Sequence, residues 1–517
     1  MKHLLSIDNG TQSLRALLFT PDGQLLASHR VSFSPYESPE PGWAEKDPLV
    51  YWNAAGTACQ ALWDQGFSPE DVLGVAVTTQ RGTVVNVDHK GHPLRPAMLW
   101  LDQRQATQLP TLPWLYRAGV GLLGLQDTIK YVQGQAEANW LREHQPELWE
   151  RTHKYLLLSG YLNFKLTGQF VDSAAAQVGY LPFDYRQQRW AHPLDLKRHI
   201  APILQSKLPD LKPAGQVLGH ITPSASTHTG LKVGTPVVSC AADKACEALG
   251  SGIFKPGQAA ISYGTTASIT TTSRKYCEIE PFIPPYPSAL PGQYNPEVQT
   301  FRGFWMVSWF KEEFGLQEVM HAEQHGLPAE VLFDRLIEEV PPGSYGLMLQ
   351  PYWTPGLRRP APDAKGAIIG FGDVHKRPHL YRAILEGLAY SMREGKERLE
   401  RKTHQKIREI RIAGGGAQSD QIMQITANVL NLQVSRTHTP EASGLGAAIT
   451  VAVGLGVHRD FATALKQMTR PGRIFQPQTA ATSTYDALYC RVYRHMYPQL
   501  SQLYREIQNI TGYPRSC

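Results

Sequence analysis

The sequence predicts an α/β protein of two large domains, and three observations carry that expectation. Its 517 residues exceed what one hydrophobic core ordinarily serves, since domains run to roughly 100–200 residues. A composition of 42% apolar and 19% charged residues belongs to a folded chain with substantial cores, not to a disordered or fibrous one. A strand–turn–strand pattern at the N-terminus also has an echo near the middle, Gly10-Thr11-Gln12-Ser13 against Gly264-Thr265-Thr266-Ala267-Ser268. The echo reads as a duplicated unit that opens each half.

Each element follows from local pattern. Residues 4–7 are apolar, Asp8-Asn9-Gly10-Thr11 carries turn chemistry, and residues 16–19 are apolar again before Pro21-Asp22-Gly23. Residues 24–34 fit the next strand. Segments 47–63 and 135–144, the latter stopped by Pro146, have the apolar spacing and length of helices. Val72–Thr79 and residues 83–87 read as strands, and 235–242 is a strand-like run that delivers Asp243 into a helix-like segment. Gly250, Gly252, Pro256 and Gly257 cluster where a domain boundary belongs, dividing the chain into 1–250 and 251–517. Residues 259–272 repeat the opening unit, and the Pro-rich stretch 280–296 is expected as an ordered surface loop. Helices are expected at 380–402 and 419–430 and a strand at Glu409–Ala413; the small residues of 444–453 suit close helix packing.

Charge and cysteine usage narrow the function classes. The net charge of +6 is spread along the chain, and its densest stretch, 393–401, interleaves Glu394, Glu397 and Glu400 as one solvated helix face would. Nucleic acid is therefore not an expected partner. Cys59, Cys240, Cys246, Cys277, Cys490 and Cys517 form no CxxC pair and no metal-ligand spacing, as expected of reduced thiols in a cytoplasm. The first apolar run is too short for a signal-peptide core, and nothing approaches the ~18 uncharged apolar residues of a membrane span. A cytoplasmic protein without membrane contact is expected.

Phosphoryl transfer asks for positioned charge: backbone amides at phosphates, a carboxylate for a metal ion, and a base for the attacking hydroxyl. No GxxxxGK[ST] loop and no DFG is present, and no kinase-type HRD catalytic loop, since His458-Arg459-Asp460 is followed by Leu465 where that loop places its asparagine. In residues 8–15 an acid leaves a strand into a Gly-Thr turn, with a cation on the next strand. Such a turn can aim N–H groups at a phosphate while Asp8 holds magnesium through water and Arg15 meets phosphoryl oxygens; an ordinary hairpin with an Asx turn has the same pattern. Gly264-Thr265-Thr266 and Gly414-Gly415-Gly416-Ala417 offer further tight turns for a triphosphate and an adenine, although three glycines also serve as a flexible helix entry. Asp243 either presents a carboxylate at the mouth of a sheet or caps the helix that follows.

The whole pattern resembles the FGGY family of carbohydrate kinases, which includes glycerol kinase, xylulokinase and ribulokinase. The segments that carry the resemblance are DNGTQSLR at 8–15, GWAEKDP at 42–48, TTQRGT at 78–83, LWLDQR at 99–104, AADKACEALGSG at 241–252, YGTTA at 263–267, and GGGAQSDQIMQITANVL at 414–430 followed by EASGLGAAITVAVGLG at 441–456. The resemblance implies two ribonuclease-H-like domains of the actin/Hsp70 ATPase type flanking a deep cleft, closing about a hinge near the boundary. It implies ATP and Mg²⁺ as cofactors and a small sugar or polyol as substrate, with a homodimer left open. By the same resemblance Asp243 is the general base and Asp8 the magnesium-associated carboxylate. Thr11, Gln12, Arg15, Gly264, Thr265 and Thr266 line the phosphate path, while Gly415, Gly416, Ala417, Asp420 and Gln421 lie on the adenine side. Gln80, Arg81, Trp100, Asp102, Arg104 and Lys244 fall where the family builds its sugar site, whereas Trp43 and Glu45 read as scaffold. Glycerol kinases follow the matching arginine with a glutamate, here Gly82, and the catalytic aspartate with a glutamine, here Lys244. Two changed polar contacts point away from glycerol, and the range of the family implies a larger acceptor, a ketose or alditol of roughly five carbons. The same fold serves Hsp70-like chaperones and actin-like filaments, and a non-catalytic sugar sensor is a third alternative. The LWLDQR region, the lack of an appended domain, and Asp8 together with Asp243 favour the kinase.

Overall fold

The computed structural model describes residues 2–513 apart from 282, 327, 328, 355 and 357–359, so Cys517 lies outside the described residues. Its first half runs β1 (His3–Asn9), β2 (Ser13–Phe19), β3 (Leu25–Ser32), α1 (Pro48–Asp64), β4 (Val72–Thr79), β5 (Val217–His220), β6 (Pro236–Val238) and α2 (Asp243–Gly250). These strands form one six-stranded sheet in the order β5-β6-β4-β1-β2-β3. The second half runs β7 (Gln258–Tyr263), β8 (Ala267–Thr271), β9 (Glu297–Thr300), α3 (Arg377–Thr403), β10 (Glu409–Ala413), α4 (Asp420–Leu430), β11 (Val434–Thr437), α5 (Ala442–Gly454) and β12 (Pro471–Phe475). Its sheet has the order β9-β8-β7-β10-β11-β12.

The two sheets share one plan. Each begins with an antiparallel meander of three strands, adds two parallel strands beside the first of them, and closes with an antiparallel edge strand. Central strands buried on both faces read as unbroken apolar runs rather than alternating ones, which is why β1 and β4 were legible from composition alone. Local signals set the helix ends. Asp47 caps α1 by accepting a hydrogen bond from the Leu49 N–H at 2.9 Å, with Pro48 in the first turn where its missing N–H costs nothing. Ser419 does the same for α4 through the Ile422 N–H at 3.2 Å.

Helix α5 belongs by sequence to the second half, yet Leu445, Ala447 and Ala448 share a core with Leu4, Leu17 and Ala76 of the first sheet and with Cys246 of α2. The approach of α2 and α5 depends on glycine. A Cβ on Gly446 would fall inside the van der Waals radius of the Cys246 carbonyl oxygen, and one on Gly250 would do so at the Ala442 carbonyl.

Four sequence expectations are corrected. The helix expected at 135–144 starts at Glu137, because Ala136 is extended and separates it from another helix, Gln126–Gln135, preceded by Trp114–Leu122. Only Pro236–Val238 of the run 235–242 joins the ladder. The stretch 280–296 is not a surface loop: Ala289, Leu290, Tyr294 and Asn295 are buried and two short strands pair within it. The charged face at 393–401 is covered, with Glu394 accepting from the Tyr352 hydroxyl, Glu397 from the Tyr489 hydroxyl, and Arg393 lying 4.1 Å over the Tyr489 ring. Cys59, Cys240, Cys246, Cys277 and Cys490 are free thiols. Among the described residues no helix is long and apolar enough to cross a membrane.

Candidate active site

Three chain segments converge at the C-terminal ends of the parallel strands: the end of β1 with Asp8, the start of α2 with Asp243 and Lys244, and the end of β7 with Ser262. Asp8 is buried and stands opposite Arg15 in the β1–β2 ladder, with the guanidinium 4.0 Å away. Thr78 of β4, in register with Asp8, donates its hydroxyl proton to the Ala241 carbonyl at 2.9 Å and so ties the α2 entry to the sheet. Asp243 is the first residue of α2, and the preceding Ala242 provides no side-chain cap. The capping alternative therefore does not describe it. Its carboxylate accepts the Lys244 N–H at 2.7 Å and keeps 26% of its side-chain surface exposed.

Charge pairing in this cluster is one to one for every cation. Arg15 is hydrogen-bonded to Glu441 at the entry to α5. Lys244 reaches Glu247 at 2.9 Å and donates to the Ser262 hydroxyl of the second half at 2.6 Å. Arg81 binds Glu297 of β9 through both oxygens, at 3.2 and 2.9 Å, while its Nε lies 3.9 Å from Asp243 and its guanidinium stands 4.6 Å over the Tyr286 ring. Glu297 also accepts from the Thr270 hydroxyl at 2.9 Å and from the Gln299 amide. Asp8 and Asp243 have only longer contacts with cations that are already engaged, 4.0 Å to Arg15 and 3.9 Å to Arg81.

Electrostatics follow from that count. Burial, followed by the nearby Asp243, Glu441 and Glu247 carboxylates, raises Asp8 to about 7 against the pull of Arg15. Burial also raises Asp243, opposed chiefly by Arg81 and then Lys244. Glu297 is held below its ordinary value, because the Arg81 ion pair outweighs the cost of burial. Two crowded carboxylates of raised pKa suit a divalent cation, whose charge would favour the ionised form of both. Among the described residues no group of three or more His, Cys, Asp or Glu could hold a metal by itself. Asp8 would hold magnesium together with water and phosphate oxygens, as magnesium prefers, leaving Asp243 free beside it.

Three turns face this cluster with backbone available to an anion. Thr11 and Gln12 of the β1–β2 turn and Gly264, Thr265 and Thr266 of the β7–β8 turn are partly or fully exposed. Beyond β10, Gly414 adopts φ +89, and a Cβ there would meet the Tyr263 carbonyl at 2.6 Å; only glycine lets this turn lie against β7. A Cβ on Gly415 would meet nothing within 4 Å, so that backbone is open to a ligand, and Ala417 is buried behind it. Gly416 is filled from behind by the Phe304 ring. Asp420 is paired with Arg436 at 2.8 Å and with Arg473, leaving half-buried Gln421 as its neighbour in the first turn of α4.

The remaining expected sugar-site residues divide. Arg81 and Lys244 lie in the cluster, and Gln80 is buried at the end of β4, where its N–H donates to the Asn9 carbonyl at 2.9 Å. Trp100 is half exposed and donates through Nε1 to the Thr11 hydroxyl at 3.2 Å. Gly82 has φ +61, and a Cβ would sit 3.4 Å from that of Trp100, so any side chain there would be strained. Asp102 and Arg104 form a buried network of their own: Arg104 donates to Asp102 at 2.6 and 2.8 Å and to Glu45 at 2.7 Å, and stacks 4.0 Å over Trp43. This network supports the loop that carries Trp100. Glu137 borders it, and burial raises that carboxyl to about 8. Sequence reading missed Glu247, Glu297, Glu441 and Glu137. Glu247 and Glu441 lay inside quoted motifs, whereas Glu297 follows the Pro-rich stretch with no pattern around it.

Comparison with known proteins agrees with this geometry. The family model for the N-terminal domain of the FGGY family of carbohydrate kinases matches residues 3–250, and that for its C-terminal domain matches 259–455. A sugar kinase of Escherichia coli (strain K12) is 29% identical over 504 residues, 96% of this chain and 93% of the relative. A xylulose kinase of Lactococcus lactis is 27% identical over 98% of this chain and 99% of its own. The crystal structure of xylulose kinase from Rhodospirillum rubrum superimposes with a TM-score of 0.79 at 27% identity, covering 98% of this chain and 100% of that one. Two sheets of one plan, a carboxylate cluster between them and family models over most of the chain lead to one assignment: this protein belongs to the FGGY family of carbohydrate kinases, phosphotransferases that use ATP to phosphorylate an alcohol group of a sugar.

Proposed function

We propose that the chain phosphorylates one hydroxyl of a ketose or alditol larger than glycerol, with Asp243 as the general base. The observation that carries the reading is the charge count: Arg15, Lys244 and Arg81 are engaged by Glu441, Glu247 and Glu297, and Asp8 and Asp243 remain as two carboxylates of raised pKa within electrostatic reach of each other. In this reading residues 1–250 hold the sugar and the base, and 251–517 hold the nucleotide. The Gly-Thr turns and the Gly415 backbone bind the phosphates and the adenine side. Magnesium at Asp8 would supply positive charge to the phosphoryl oxygens. The Asp243 carboxylate takes the proton of the acceptor hydroxyl as its oxygen bonds to the γ-phosphorus and the bond to the β–γ bridging oxygen breaks, leaving ADP and the sugar phosphate. Arg81 beside Asp243 keeps that carboxylate ionised and oriented. Lys244, held by Glu247 of its own helix, ties the first turn of α2 to β7 through Ser262, which holds the base across the cleft.

The named activity of the Lactococcus and Rhodospirillum relatives supports an acceptor of five carbons, and the strained Gly82 position supports a site without the glutamate of glycerol kinases. Asp243→Asn is nearly isosteric and should lower kcat by about 10²–10⁴ while ATP binding and melting temperature stay near wild type. Near-normal sugar phosphorylation by that folded variant would overturn the assignment. A panel of glycerol, tetritols, ketopentoses, ketohexoses and alditols reads the acceptor, and glycerol as the best substrate would overturn the size.

A further inference from the structure

The acceptor side of Asp243 is walled by charges that are already matched. Arg81 is the cation nearest the base, and both of its terminal nitrogens face the two oxygens of Glu297, whose side chain is only 2% exposed. Thr270 and Gln299 hold that carboxylate in place from the second sheet. The Tyr286 ring under Arg81 lies against Tyr185, and in the same half Arg95 and Arg104 are paired as well. Both bind Glu45, and Arg104 also binds Asp102 beside Glu137. Arg81, Lys244, Arg95 and Arg104 each have a carboxylate partner within hydrogen-bond distance.

From this arrangement, and resting on the sugar-kinase reading, we infer that Glu297 is a specificity residue: by occupying Arg81 it makes the pocket accept uncharged sugars and exclude sugar acids. An aldonate of the same carbon length differs from the ketose or alditol mainly by one terminal carboxylate. That group would enter a site whose nearest guanidinium is engaged and whose base is an anion of like charge. An unpaired charge in a partly desolvated site is disfavoured far more than an unpaired hydroxyl. Glu297 does not contact the reacting atoms; it acts through Arg81, and it comes from the half of the molecule opposite the base. The acceptor pocket thus takes its charge selectivity only when β9 is docked against the loop of Arg81.

The test compares kcat/KM for the best neutral acceptor and for the aldonate of equal length, in wild type, Glu297→Gln and Glu297→Asp, with ATP turnover by a coupled assay and product by mass. Wild type should prefer the neutral sugar by at least about 100-fold. Glu297→Gln frees the guanidinium and should shift the ratio towards the aldonate by about tenfold or more, through KM for the aldonate, while Glu297→Asp retains the charge and should keep the wild-type preference. Wild type using the aldonate as well as the neutral sugar would overturn the inference without any variant. So would a folded Glu297→Gln with an unchanged ratio. Should no sugar of either kind be phosphorylated by the wild-type protein, the sugar-kinase reading itself fails, an outcome distinct from sugars being used with the opposite charge preference.

Discussion

Asp8 lies where burial and the Asp243, Glu441 and Glu247 carboxylates all oppose its ionisation, and the consequence is measurable as stability. Its folded pKa of about 7 stands above the ordinary value of 3.8, so the favourable contribution of the neutral acid is complete below pH ~4 and is lost as pH rises through 7. The ligand-free protein should therefore be relieved by Asp8→Asn at alkaline pH. The difference in melting temperature, variant minus wild type, should grow between pH 5 and pH 8 by a few degrees. Added magnesium should raise the wild-type melting temperature at pH 8 and leave that of Asp8→Asn unmoved. A constant difference across that range, or equal magnesium responses, would count against the like-charge crowding described here. Residue types in the motifs made Asp8 and Asp243 visible in the sequence, Asp8 near the end of β1 and Asp243 where a strand-like run gives way to a helix. The carboxylates that engage the neighbouring cations were not visible, because Glu297 and Glu441 are brought in by tertiary folding from 216 and 426 positions away from Arg81 and Arg15.

At the scale of elements, the proposed base Asp243 is only as well placed as the contact between α2 and α5. Their backbones meet at Gly250 and Gly446, where a single methyl has no room and must push one helix from the other. Gly446→Ala should cost about 1–3 kcal/mol by overpacking. It should also lower kcat, because α2 carries Asp243 on its first turn. Thermal melting and steady-state kinetics on the same preparation check both, and a variant with wild-type melting would show that the helices part freely. The small-residue run that builds this contact was legible in the sequence as close-packing material, and β4, β10 and α1 were legible from apolar runs and capping residues. The helices between 114 and 144 were less so. Their pattern is continuous across Ala136, and only packing decides that the backbone extends there. Residues 280–296 misled for a related reason, since proline and glycine mark irregular backbone without telling whether it is covered.

For the whole molecule, the site is spanned by contacts between its halves: Arg81 to Glu297, Arg15 to Glu441, and Lys244 to Ser262. A sugar bound beside Arg81 and a nucleotide bound at the turns of the second half both add to that span. Each should favour the same docked arrangement, with a coupling of ~1–3 kcal/mol. Calorimetric titration of a non-hydrolysable ATP analogue should show 5- to 150-fold tighter binding with saturating sugar than without. Equal affinities would mean that the halves are already fixed. The shared plan of the two sheets carries a last implication, one of ancestry and direction. Superposing the plans matches Gly10 with Gly264, Thr11 with Thr265 and Asp8 with Ser262. A chain half this length, folded once and paired about a dyad, would present two identical turns to one polyphosphate and have no way to tell donor from acceptor. The present chain breaks that symmetry at this position, with a carboxylate in one copy and a hydroxyl holding Lys244 in the other.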